Sequence, residues 1–367
     1  MKFKVNLTQA YLYDLMQLPQ MLAAEEDARN NNDLYRLALE EDPQFLKDVQ
    51  TIKEALTPHE ATIKRFYAAD QLGSYDFAHL LQLSFPFSAA KTLDGYFETI
   101  METDEKTIKQ ALLYAILLSD EDNPDADRQA LKQHALSLSN NQGERIALLK
   151  ALSCDETYRW QLLMILEDPL KALEDFQALL KTIQPVFDAF YAQKQTEITT
   201  VKARLLSLMK DGLEAFFDLT NHMIPTKYFN KENNTILISI VHPYQMTIRA
   251  NEADPYLIWG LQMEKGFKFL KQMQENDIVQ RTQVFKLLGD KTRYETLRLL
   301  ASGESSTKKI ANTLNVSSAT ISYHINAFVT QEIIRLSPEK HRKYDINYKA
   351  LDALWQAFLE DLKSKPK

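Results

Sequence analysis

At 367 residues the chain is too long for one small domain, and its 45 % hydrophobic content, with 18 Phe, 16 Tyr and 10 Met, suffices for a large buried core. A single cysteine excludes an internal disulfide, and no run approaches the roughly 20 apolar residues of a membrane span, so a cytoplasmic chain without a signal peptide and without membrane contact is expected. The formal charge of −7 hides a split: residues 281–367 hold 15 Lys and Arg against 9 Asp and Glu, leaving 28 against 41 in the rest. A basic C-terminal module on an acidic body suits an anionic partner at one end of the chain only.

In chain order, residues 1–7 alternate loosely and predict a short strand, with Thr8 as the cap of a helix over 9–18. From there to about residue 220 the apolar spacing is helical, with helices predicted over 43–56, 58–69, 104–118, 142–152, 155–166 and 170–219. Breaks at 120–124 and 140–143 predict loops. The acidic runs Glu25-Glu26-Asp27 and Asp120-Glu121-Asp122 lack the spacing of metal ligands and read as solvated loop charge.

The pattern changes between 228 and 262. Residues 235–241 are β-branched and bounded by Asn233-Asn234 and His242-Pro243, and 256–260 predicts a second strand paired with the first across 245–254. A helix over 267–275, continuing toward Val284, then runs into the C-terminal module with no Gly/Ser-rich linker. The expected division is a helical sensing or dimerisation domain over 1–275, containing the strand pair, and a second domain over 281–367. No Gly-rich phosphate loop, nucleophile elbow or His-Glu-x-x-His occurs, and His59, His79, His134, His222 and His242 are scattered. No catalytic residue, metal or cofactor is therefore expected, nor an enzyme. Tyr244, Trp259, Trp160 and His242 read as plain core rather than as a pocket for an apolar ligand.

Residues 284–346 state a task more plainly. A helix over 307–314 turns Ile310, Ala311 and Leu314 inward, and Asn315 is suited to the left-handed residue that ends it. Ser317 is a good cap for a second helix over 317–329, with Val316 and Ile321 as the hydrophobic staple. Ile321, Ile325 and Phe328 share one face of that helix. The opposite face is Ala319, Tyr323 and Asn326, flanked by Thr320 and Ser322, and it is small, polar and uncharged. Such a face suits base edges in a groove better than open solvent. Strands over 333–336 and 343–346 then frame a wing whose tip carries Lys340, Arg342 and Lys343, suited to phosphate contacts. In the last helix, Leu351, Leu354, Trp355, Phe358 and Leu362 form a stripe too apolar for solvent, open to dimerisation or to packing on its own domain.

Leu288-Gly289-Asp290, Thr292-Arg293, the apolar run Leu297 to Leu300 and Ser317 to Ile325 together resemble the ArsR family of winged-helix regulators, over about the last quarter of the chain. The resemblance implies a fold that is mainly α, a homodimer, and a second helix lying in the major groove of an inverted-repeat operator, more as repressor than as activator. Carried over by position, the base-reading candidates are Ser318, Thr320, Ser322 and Tyr323, with Asn326 on the same face. His324 borders the apolar face and reads either as a base contact or as a core histidine. The cysteines that many metal sensors of the family place before the turn are absent, as Glu304-Ser305-Ser306-Thr307-Lys308-Lys309 stands there, and the last helix holds no histidine. Some long members of the family have a helical N-terminal region ending in a similar strand pair, and that likeness brings no ligand with it. The expected partners are duplex DNA, a second copy of the chain and an unknown small-molecule effector. The rival readings are a winged helix used for protein contacts and a small-molecule-binding protein or unrecognised enzyme regulated by its tail.

Overall fold

β1 (Phe3–Val5) is a parallel neighbour of β2 (Asn234–Ser239), so the two ends of the N-terminal body meet in one sheet. β3 (Met246–Arg249) and β4 (Tyr256–Gly260) complete it in the order β1-β2-β4-β3, with β4 parallel to β2 and antiparallel to β3. The computed structural model describes residues 3–69, 75–85, 90–120, 127–152, 154–210, 214–220, 234–249, 256–275, 277–337 and 343–363. The expected strand pair is the centre of this sheet, in register from Thr235 opposite Tyr256 to Ser239 opposite Gly260. It is one half of a four-stranded sheet, however, and the connection between its strands holds β3. β2 and β4 are buried along almost their whole length, as the inner strands of a parallel arrangement must be.

The helical body follows its caps. α1 (Leu7–Gln17) is capped by Asn6, whose Oδ1 accepts the amide of Gln9 at 3.1 Å, so Thr8 lies inside the first turn instead of capping it. α2 (Gln20–Ala23), α3 (Glu25–Asn31) and α4 (Asp33–Glu41) lead to α5 (Pro43–Leu56), which has Asp42 as cap and proline in its first turn. Glu25 and its acidic neighbours thus open a helix rather than a loop. Glu25 is 8 % exposed and paired with Arg29 and Lys53. Burial pushes its carboxyl up, but hydrogen bonds from Lys53 and Arg29 outweigh that and hold it below the usual carboxylate range.

The helix expected over 58–69 is a 3-10 turn (Thr57–His59) followed by α6 (Glu60–Phe66). α7 (Phe77–Ser84), α8 (Leu93–Met101), α9 (Glu105–Asp120), α10 (Arg128–Asn140) and α11 (Gln142–Ala151) come next. The loop expected over 120–124 lies outside the described residues beyond Asp120, the last residue of α9. That expected over 140–143 shrinks to Asn141, which ends α10 and caps α11 through Oδ1 and the amide of Glu144.

α12 (Glu156–Glu167) is capped by Asp155. The run 170–219 divides into α13 (Pro169–Leu208), 40 residues long, and α14 (Glu214–Leu219). Phe176 of α13 sits at the centre of the core, its ring 5.0 to 6.1 Å from those of Phe66, Tyr67, Phe77 and Phe97. Trp259 is fully buried against Phe216 and Phe267, as expected of core, whereas Trp160 is 60 % exposed.

α15 (Met263–Glu275) starts four residues before the expected helix, and α16 (Asp277–Leu288) continues toward the C terminus. The apolar interior divides along this path. One cluster extends from Ala10 to Phe267, and a second, separate one from Val284 to Ile346. No helix among the described residues is long and apolar enough to cross a membrane.

Candidate nucleic-acid interface

The second cluster is built by short, well-capped helices. Asp290 caps α17 (Lys291–Ala301) by accepting the amide of Arg293 at 2.8 Å, and Ser306 caps α18 (Thr307–Leu314) by accepting that of Lys309 at 3.2 Å. α18 ends at Asn315, which has φ 55° and ψ 47°, and the amide of Val316 bonds back to the carbonyl of Ala311 at 3.0 Å. Two residues later Ser317 caps α19 (Ser318–Thr330), its Oγ accepting the amide of Thr320 at 3.0 Å and lying 2.8 Å from Thr320 Oγ1. The turn therefore has the left-handed stop and the hydroxyl cap expected from its residues. Ser317→Ala is expected to lower the unfolding free energy of this domain by about 1 kcal/mol, read as a shift of its denaturant midpoint.

Ile310 and Ala311 of α18 and Ile321, Ile325 and Phe328 of α19 are buried together, while Leu314 packs on them from the edge. β5 (Ile334–Leu336) and β6 (Tyr344–Ile346) form an antiparallel hairpin, Ile334 opposite Ile346, with the amide of Ser337 bonded to the carbonyl of Lys343 at 2.9 Å. α20 (Tyr348–Lys363) completes the domain.

The inward packing of α19 leaves Asn326 exposed and Ser318, Thr320, Ser322 and Tyr323 partly so. Tyr323 is held from α17: Arg293 Nη2 donates to its hydroxyl at 3.2 Å, and the Arg293 guanidinium carbon lies 5.3 Å from its ring centre. Arg293 stands 30 positions from Tyr323, and no local sequence pattern links the two.

His324 is not on the exposed face. It is 6 % exposed, and neither ring nitrogen has a hydrogen-bond partner among the described residues. Burial first, and then the charge of Arg293, pull its pKa down to about 4, so the ring is neutral near pH 7. Its position at the edge of the apolar stripe resolves toward the core, though without the carbonyl bond that usually satisfies such a histidine.

Of the wing cations, Lys343 reaches toward Tyr344, its Nζ 5.6 Å from the ring centre, whereas Lys340 and Arg342 lie outside the described residues. Arg335 adds an exposed cation on β5. Lys308, in the first turn of α18, is paired with Asp120 at the end of α9.

The stripe on α20 divides. Leu351 and Leu354 pack against the core of their own domain. Trp355 and Phe358 form an aromatic cluster with Phe285 of α16, with ring centres 4.9 to 6.5 Å apart, yet Trp355 remains 50 % exposed and Leu362 69 %. No residue of α20 is fully buried.

Two packed helices joined by a left-handed turn, followed by a β-hairpin, define a winged helix-turn-helix, a class of domain that binds duplex DNA. Residues 290–335 match the family described as bacterial regulatory protein, arsR family, so the chain carries an ArsR-like winged helix-turn-helix behind a long N-terminal region. No curated protein and no solved structure matches the chain. The domain points to a DNA-binding transcription regulator.

Proposed function

We propose that the protein is a sequence-specific, homodimeric repressor that binds an inverted-repeat operator in the cytoplasm. The observation that carries this reading is the exposed face of α19, which is small, polar and uncharged where a solvated helix of 13 residues would carry Lys and Glu. Ser318, Thr320, Ser322, Tyr323 and Asn326 are its base-reading residues, and Lys340, Arg342 and Lys343 anchor the wing to phosphates. Arg293 joins them by positioning Tyr323. The functional division lies between Glu275 and Arg281, which agrees with the two separate apolar clusters. Dimerisation uses α20 and the end of α16, and is supported by Trp355 and Leu362, apolar side chains that their own domain leaves half exposed or more.

The test is binding of the purified chain to duplex fragments from its own upstream region at two salt concentrations. Affinity should fall steeply with salt. Tyr323→Ala should lose on the order of 1–3 kcal/mol on the preferred fragment and relax the preference, whereas Arg342→Ala should weaken all fragments alike. Trp355→Ala should shift sedimentation from dimer toward monomer and weaken operator binding in parallel. A folded dimer that binds no fragment in a salt-dependent way sinks the reading and favours a winged helix used for protein contacts.

A further inference from the structure

β1, β2 and β4 run parallel, so their carboxyl ends open on one side of the sheet, the place where ligands bind in open parallel sheets. A cavity of about 210 Å³ lies there, walled by the segments that follow β2 and β4, by α5 and α13, and by the first turn of α15. Its size suits a metabolite rather than a drug-sized ligand. The loop that closes it is packed without slack: a Cβ on Gly260 would come within 2.3 Å of the Pro243 carbonyl oxygen.

The lining carries charge of both signs. Lys194 pairs with Asp48 at 2.6 Å, both side chains 12 % exposed, and Lys265 pairs with Asp42 at 2.7 Å. Glu197 differs from the other two carboxylates. Among the described residues it accepts from the neutral amide of Gln262, at 2.6 Å, and no cation pairs with it. Three carboxylates against two ammonium groups leave the lining with one negative charge that no cation of the cavity offsets. A ligand of net charge +1 restores the balance. A plain diamine would overshoot the balance by one positive charge, and a plain acid would add a fourth carboxylate to the three already there.

We propose that this cavity binds a small cationic amino acid, with an ammonium group on Glu197 and its carboxylate on Lys265. Lys265 stands in the first turn of α15, the helix leading to α16 and the winged helix, so on the regulator reading this is where an effector acts.

Isothermal titration of the full chain, without DNA, with L-lysine, L-leucine and cadaverine tests the proposal. L-lysine should bind at sub-millimolar concentration, and the two other compounds, lacking the extra ammonium or the carboxylate, at least about tenfold more weakly. Glu197→Gln keeps the bond to Gln262 and removes only the charge, and it should weaken L-lysine about tenfold or more. Lys265→Gln should do the same, and circular dichroism checks that each variant is folded. Three results would overturn the proposal: no heat from L-lysine at millimolar concentration, cadaverine binding as tightly as L-lysine, or L-lysine affinity unchanged in folded Glu197→Gln. Because the readout contains no DNA, failure of the DNA-binding reading leaves the result interpretable.

Discussion

Gly260→Ala is expected to destabilise the N-terminal body by on the order of 3 kcal/mol or more, seen as a lowered urea midpoint and poor recovery of folded chain. The methyl group would meet backbone, not a side chain that can swing aside: the Pro243 carbonyl oxygen at 2.3 Å, its carbon at 2.5 Å and the His242 carbonyl oxygen at 2.6 Å. Relief requires the 242–244 segment to lift from β4. That segment is tied down by the Gln262 amide bonded to the Pro243 carbonyl and by the Gly260 amide bonded to that of Gln245. The winged helix has its own apolar cluster, so its unfolding transition should stay in place while the first one moves. Loss of both transitions together would show that the two cores are not energetically separate.

Asp14 should make the stability of the same body depend on pH in an unusual direction. It is fully buried, with the Ser239 hydroxyl and the Ile240 amide donating to its carboxyl at 2.6 and 2.7 Å and, among the described residues, no ion pair to a cation. Burial pushes its pKa up from 3.8 to about 7, against the downward pull of those hydrogen bonds. An acid whose folded value lies above its unfolded value binds its proton more tightly in the fold. Its contribution is complete below about pH 4 and is lost as pH rises toward about 7. The unfolding free energy of wild type relative to Asp14→Asn should therefore fall by on the order of 3 kcal/mol between about pH 4 and about pH 8, measured by urea titration. A difference that stays flat would place the proton elsewhere.

What the sequence made legible was what is local. The cap at Ser317, the left-handed Asn315 and the inward triad Ile321, Ile325 and Phe328 lie within a dozen or so residues, and the structure has each of them in place. The sheet was only half legible. Residues 235–241 and 256–260 announce themselves by composition, but the parallel sense of their pairing and the partnership of β1 depend on chain that returns from the far side of a helical body. β3, at four residues, is too short to impose a period. His324 sits at the edge of its helix stripe, and only the packing of α17 over it decides which side it joins. Glu197, Lys194 and Lys265 are unremarkable members of exposed-looking helix runs. They become a charged cavity only because α13, α15 and the ends of two strands converge.

α13 has a mechanical consequence. At about 1.5 Å per residue its 40 residues span about 60 Å, and it touches α1, α5, α6, α8, α9, α12, β1 and β2. A stack of helical hairpins in which each unit meets only its neighbours can fray from an end, one unit at a time. Here a single rod is shared by elements from the beginning and the end of the body, and releasing any of them exposes part of the same apolar stripe. The N-terminal body should therefore melt as one cooperative unit, with amide exchange along the buried stretch from Leu173 to Phe187 limited by opening of the whole.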